Sequence, residues 1–252
     1  HPFDGDGMIT AIKFKNGIAS FTNKFVKTEG FLKEQKVDKF LYRGVFGSQK
    51  KGGVINNAFN LNLKNIANTH VIKLGDELLA LWEAAGPHSL DPNNLETNGL
   101  TTLKGVLKKN EAFSAHPKVD FNSNSADEVL ITFGVQTGPT STIRLMEFSN
   151  SGKNSGKILF DRKDKLKGFA FLHDFAITKN WAIFLQNAID FNPLPFVFGQ
   201  KGAAQCLKSN PNKTAKFFIV PRDSGLFRGQ PPIVIDAPEG FVFHHVNAYE
   251  ND

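Results

Sequence analysis

The 252-residue sequence predicts an all-β chain, arranged as a meander, a sandwich or a propeller. Two observations lead there. Short apolar runs rich in β-branched and aromatic residues recur along the chain, and turn-forming residues separate them at close intervals. A third excludes the obvious rival: no long window keeps a helical period of apolar residues.

Taken in order, "MITAIKF" (8–14) is the first strand, and "KNG" closes its turn. "HVIKLGDELLALWE" (70–83) is a long apolar run carrying the turn signal "LGDE". "LLALWEAAGPHSLDPNNLETNG" reads as a strand, a Gly-Pro turn and a polar hairpin tip at "LDPNNLE". "EVLITFGV" and "STIRLMEF" follow, flanked by the turn stretches "NSNSAD" and "NSGKNSGK". "WAIFLQN", "KFFIVPR" and "PPIVIDAP" complete the strands, and "APEG" is the last turn. These strand–turn–strand units recur every ~40 to 50 residues, near the length of a propeller blade. One segment breaks the rhythm. Asp190–Lys213 mixes Pro, Gly and Lys with Leu194, Phe196, Val197 and Phe198. It reads either as a loop folded onto the core or as an exposed apolar patch with a basic rim, suited to peripheral membrane contact.

Composition narrows the function classes. Apolar residues form 40% of the chain, enough for a real core. There are 25 Phe against 2 Tyr and 2 Trp. Phe brings apolar area with no polar handle, so these rings either fill the core or line a cavity for an apolar ligand. The net charge of +6 rests almost entirely on lysine. Nucleic-acid readers lean on Arg for bidentate contacts, so a nucleic-acid partner is not expected. The scattered lysines, as in "KDKLKG" (163–168), read as a solvated surface biased toward anionic membranes. A single cysteine, Cys206, excludes an intramolecular disulfide and fits a reducing compartment. No run approaches the roughly 18 apolar residues of a transmembrane helix. The chain opens on "HPFDGDGM" without an initiator Met, and is expected to be a fragment at both ends. "DGDG" resembles a calcium loop but lacks the downstream Glu of an EF-hand, so a tight turn is the reading.

Three of the seven histidines sit in distinctive settings: "SAHPKVD", "FLHDFAIT" and "FHHVNAYE". His116, His173 and His244 are separated by 57 and 71 residues, too far for a local finger-type site. Blade inner strands converge on a central axis, so histidines on different blades could meet. Imidazole suits Fe, Zn, Cu or Ni. The chain has no HExxH pair, Gly-x-Ser-x-Gly elbow, P-loop or dinucleotide turn.

Six motifs in order, "HPFDGDGM", "ANTHV", "LLALWEAAGP", "SAHPKVD", "FLHDFAIT" and "FHHVNAYE", resemble the carotenoid cleavage oxygenases across residues 1–252. The resemblance implies a seven-bladed β-propeller, incomplete in this chain, with Fe(II) on its axis held by four histidines. His116, His173 and His244 match three of them. His245 is expected to point away, because neighbouring strand residues face opposite sides. No residue matches the fourth, and the C-terminal part of the domain is expected to lie beyond Asp252. A propeller missing blades leaves unpaired strand edges, so the 252-residue piece alone is expected to aggregate or stay molten, with little iron and no activity.

The same resemblance assigns further roles. Glu83 matches a carboxylate that anchors the outer nitrogen of a ligand histidine. Thr69 matches a residue whose methyl lies near an open iron position. Phe46, Trp82, Phe171 and Phe243 are the implied tunnel liners, with Phe3 beside them; core packing is the alternative for each singly. Leu194, Phe196, Val197 and Phe198 match an apolar patch at the tunnel mouth, through which relatives draw substrate from membranes. The implied activity is cleavage of a conjugated C=C bond of a carotenoid or apocarotenoid with O2. Stilbene-cleaving relatives tend to carry a lysine where this chain has Trp82, which favours the carotenoid branch. A stilbene or phenylpropenoid dioxygenase, an isomerase of the same family and a metal-free propeller acting as a binding module are the alternatives. The expected location is cytoplasmic or plastid, peripherally membrane-associated; oligomeric state is left open.

Overall fold

In the computed structural model of the chain, residues 1–109, 111–120, 128–223 and 225–251 are described. The turn predicted at "NSNSAD" lies outside them. The chain packs as two compact units. The first comprises His1–Lys73, Glu77–Lys109 and Phe191–Lys208, and the second Leu74–Asp76, Asn110–Asp190 and Ser209–Asp252.

The first unit begins with a hairpin of β1 (Met8–Lys15) and β2 (Ile18–Phe25). Its turn is Asn16-Gly17, both at positive φ (51° and 77°). That backbone matches the strands' right-handed twist, and Asn-Gly supplies it with least strain. Thr28 then caps α1 (Glu29–Val37), its hydroxyl accepting from the Phe31 N–H at 3.1 Å. No helical period is legible here because nine residues are too few to show one, and Gly30 alone among them is buried. After the single-turn α2 (Gly53–Asn57) comes a four-stranded sheet in chain order: β3 (His70–Leu74), β4 (Glu77–Leu81), β5 (His88–Leu90) and β6 (Thr97–Leu100). The β5–β6 connection is the predicted polar tip, where Asp91 accepts from the Asn93 N–H at 2.8 Å. "DGDG" binds its own chain: Asp4 accepts from the Phe46 and Ser48 N–H groups, and Asp6 pairs with Lys64.

The second unit holds two more four-stranded sheets. One is a meander of β7 (Lys118–Asp120), β8 (Val129–Gln136), β9 (Thr140–Ser149) and β10 (Ile158–Lys167). The other pairs β11 (Ala176–Ile177), β12 (Trp181–Gln186), β15 (Lys216–Pro221) and β16 (Ile233–Asp236), all antiparallel. Between β12 and β15 the chain runs through β13 (Ile189–Phe191), one-turn α3 (Leu194–Val197) and β14 (Leu207–Ser209). "KDKLKG" is part of β10, where exposed Lys163, Lys165 and Lys167 alternate with less exposed Arg162, Asp164 and Leu166. The lysines face solvent as expected; the segment is a strand because its partner β9 supplies the ladder.

Alternation builds the core. Val129, Ile131 and Phe133 of β8, Ile143 and Leu145 of β9, Ala182 and Phe184 of β12, and Phe218 and Val220 of β15 all turn inward. Phe133, Phe175 and Phe184 pack ring to ring at 5.0–5.4 Å between centroids. Much of the phenylalanine excess in this unit is therefore core. A buried ion cluster joins the two sheets: Arg222 pairs with Asp120 of β7 at 2.8 Å and Glu147 of β9 at 3.2 Å, and donates to the Thr178 carbonyl at 2.5 Å. The chain is thus all-β in its main elements, with three blade-like four-stranded sheets; among the described residues no sheet closes on itself.

Candidate metal centre

Local chemistry positions each candidate ligand. Ser114 donates its N–H to the Phe133 carbonyl at 2.7 Å, pinning the "SAHPK" segment to β8. Its hydroxyl accepts the His116 N–H at 3.0 Å. Pro117 keeps the preceding His116 backbone extended, and β7 starts one residue later. His173 stands three residues before β11. Each therefore sits at the entry to the first strand of a four-stranded sheet. His244 lies on the irregular segment after β16, which side chains hold in place of a ladder. Asn187 clasps Val242 through both its N–H (2.9 Å) and its carbonyl (3.0 Å). Asp174 accepts the His245 N–H at 2.8 Å, and Glu250 accepts from the Asn180 backbone and side chain at 2.9 and 2.5 Å.

The three imidazoles meet. His116 Nε2 lies 2.8 Å from His173 Nε2. Ring centroids are 4.5, 5.1 and 5.0 Å apart, with rings inclined at 61°, 85° and 73°. One nitrogen of each falls within 4.8 Å of the others. Two imidazole nitrogens bound at ~2.1 Å and a right angle to one another would lie about 3 Å apart, close to the 2.8 Å approach. Edges converging at steep angles suit three ligands on one side of an ion, and neutral imidazole suits Fe, Zn, Cu and Ni. The donor set fits a transition metal.

His245 is outside this cluster, as expected from strand alternation, although its segment is irregular. Burial lowers its pKa. Burial also works to raise that of Asp174, but Lys118 and the His245 and Phe175 N–H groups outweigh it and hold the carboxyl low. Phe243 stacks on His173 at 3.8 Å and 18°, and Phe171 lies 6.1 Å from Phe243. Of the two implied tunnel liners in this unit, Phe243 borders the cluster and Phe171 lies beside Phe243.

The remaining implied residues lie in the first unit. Thr69 donates its N–H to Leu81 at 3.0 Å, beside the end of β4 where buried Trp82 and half-buried Glu83 follow. Trp82 lines a small cavity of about 90 Å³ with Asp6, Arg43 and Lys64. Phe46 packs on His1 and Phe3 at 5.7 and 5.3 Å. In the implied apolar patch, Leu194 and Phe198 are exposed and Val197 is half-buried. Phe196 is a correction: it is buried, with the Arg43 guanidinium 4.1 Å over its ring. A single helical turn cannot present Leu194, Phe196, Val197 and the following Phe198 all to one side. The surface at this point instead includes Phe59, edge-on to Phe198 at 5.7 Å.

Asp174, Lys118 and Asn187 escaped the sequence reading. The first two were adjacent to it, in "LHD" and "HPK", but a carboxylate or amine next to a histidine carries no signal of what it pairs with.

The retinal pigment epithelial membrane protein family model matches residues 1–252. The apocarotenoid-15,15′-oxygenase of Synechocystis sp. is 47% identical over 255 residues, covering 100% of this chain and 50% of that protein. Resveratrol cleavage oxygenase 1 of Botryotinia fuckeliana is 31% identical over 221 residues, covering 88% and 37%. The structure of cobalt-substituted Synechocystis apocarotenoid oxygenase superposes with a TM-score of 0.94 at 47% identity, covering 100% of this chain and 51% of that one. The chain spans about half the length of these relatives.

Proposed function

The chain belongs to the retinal pigment epithelial membrane protein family, and on that premise we propose that it carries three of the metal ligands of an Fe(II)-dependent dioxygenase that cleaves a conjugated double bond of a carotenoid or apocarotenoid. The observation that carries this reading is the meeting of His116, His173 and His244 from segments far apart in sequence. His116, His173 and His244 would hold the ion, and as neutral imidazoles would leave its charge undiminished. Bound iron supplies the redox chemistry by which O2 adds across a C=C bond to give two carbonyl products. Phe243, stacked on His173, and Phe171 beside it would offer ring faces to a flat polyene. No side chain need move a proton, because neither fragment leaves as an acid or a base.

For the first unit we carry forward the roles the resemblance implies: Trp82 and Phe46 as substrate liners, Glu83 as an anchor for a ligand histidine, and Thr69 as a residue limiting what reaches an open iron position. A seven-bladed propeller is the proposed architecture of the whole domain. Peripheral membrane contact is proposed through Leu194 and Phe198, with exposed Ile55 and Phe59 in the same unit. Exposed apolar side chains, with Phe59 edge-on to Phe198, on a chain whose positive charge is mostly lysine suit an anionic bilayer. The proposed location is accordingly at the surface of a membrane in the cytoplasm or a plastid.

The test is turnover by the complete protein under 18O2, comparing an apocarotenal with a hydroxystilbene. Label in both carbonyl products of the apocarotenal is expected. Cleavage of the stilbene alone would move the protein to the resveratrol-cleaving branch, to which the 31% identity also points. A protein without stoichiometric iron, inert toward both, would leave the metal-free binding module.

A further inference from the structure

We infer that Asp174 is a positioning residue for the three-histidine cluster, a clamp that fixes the His116, His173 and His244 segments to one another. The inference rests on the metal-centre reading above. Asp174 directly follows His173. One carboxylate oxygen takes the ammonium of Lys118 at 2.8 Å, and Lys118 is two residues beyond His116. The other oxygen takes the backbone N–H of His245 at 2.8 Å, one residue beyond His244. The Asp174 side chain is 3% exposed. A carboxylate so buried is strongly disfavoured without partners, so the pairing dictates where both neighbouring segments run.

Its effect on the ligands is geometric. Metal–nitrogen distances tolerate only about 0.2 Å of misplacement, and His244 sits on a segment with no ladder of its own. The Asn187 clasp at Val242 and the Glu250 tether at Asn180 hold that segment on either side. Neither reaches the His116 segment. Asp174 does, through Lys118, and Lys118 also lies 5.9 Å over the Phe175 ring, which limits its alternatives. One side chain thereby sets three ligands in a common frame without touching the ion.

Two readouts on the complete, metal-free protein separate a positioning role from a merely structural one. The first is amide exchange across residues 242–248. The second is Co(II) titration followed by its visible absorption, which reports affinity and coordination geometry. Asp174→Ala is expected to speed exchange in that segment, weaken Co(II) binding by about 10- to 100-fold, as removal of a partner behind a metal ligand does, and alter the absorption bands. Asp174→Asn keeps an acceptor for the His245 N–H and loses the charge that holds Lys118, so its Co(II) affinity should fall between wild type and Asp174→Ala. Lys118→Met should match it. Wild-type affinity and bands in Asp174→Ala would overturn the positioning role even if exchange quickens, leaving Asp174 a structural tether. If Asp174→Ala does not fold, unchanged Co(II) binding in both Asp174→Asn and Lys118→Met overturns it equally. If wild type takes up no Co(II), the metal-centre reading itself fails, and the clamp's role toward it fails with it.

Discussion

His88 is 4% exposed within β5, and its Nδ1 finds no hydrogen-bond partner among the described residues. Burial pushes its pKa from 6.5 down to about 4. The folded chain therefore holds this imidazole neutral, while the unfolded chain protonates it near pH 6.5. Stability from this source is fully present above pH 6.5 and is lost as pH falls toward 4, reaching about 2 kcal/mol of loss by pH 5. Denaturation midpoints at pH 7 and pH 5 should show that loss in wild type and not in His88→Leu; a parallel loss in both would remove His88 as the cause. Arg43 is the opposite case, a charge buried and fully used. Its guanidinium donates to the carbonyls of Asn57, Asn60, Phe196 and Lys201 at 2.7–3.2 Å. Arg43→Met would orphan two buried acceptors, the Asn57 and Phe196 carbonyls, and two part-buried ones, so unfolding should become easier by about 3 kcal/mol, given roughly 1–3 kcal/mol for each buried unsatisfied group. The clustering histidines His116, His173 and His244 were legible as candidates because each sits in a distinctive local motif. Arg43 and Arg222 were not, because arginine is ordinarily a surface residue and nothing adjacent in sequence marks the carbonyls or carboxylates that bury it.

Strands were the most legible elements, since alternation and turn residues are local properties. β8, β9, β12, β15 and β16 lie where the apolar runs placed them. β2 and β10 were passed over, β10 because six charges in seven residues (161–165 and 167, around Leu166) mask its alternation. α3 shows the converse limit: "PLPFVF" is apolar throughout, so only its single turn, with Phe196 inward under Arg43, decides which rings reach solvent. The β1–β2 turn offers a clean test of element-level physics. Gly17 has φ 77°, and an added Cβ would meet nothing within 4 Å. Gly17→Ala therefore probes backbone strain alone and should cost about 1 kcal/mol. A neutral substitution would mean the hairpin relaxes to another turn, visible as faster amide exchange at Lys15 and Ile18.

On the scale of the molecule, the sequence carried the family's motifs across the full chain, but not the side-chain tethers that bring His244 to the other two. Those tethers join residues 55 to 71 positions apart, and no local pattern encodes such pairings. The consequence is that metal binding and the packing of the second unit share one free energy. All three candidate ligands lie in that unit, on segments entering two sheets and on the tail beyond them. An ion that binds this arrangement and not the unfolded chain stabilises it by mass action, by about 2.7 kcal/mol at a free concentration 100 times the dissociation constant. Addition of Co(II) to the metal-free protein should therefore raise amide protection across residues 114–120, 171–178 and 242–248 together. His173→Ala removes the ligand nearest His116 and should abolish the rise at all three segments at once. Protection confined to one segment would mean that the ion is held locally, and that the three imidazoles do not act as one site.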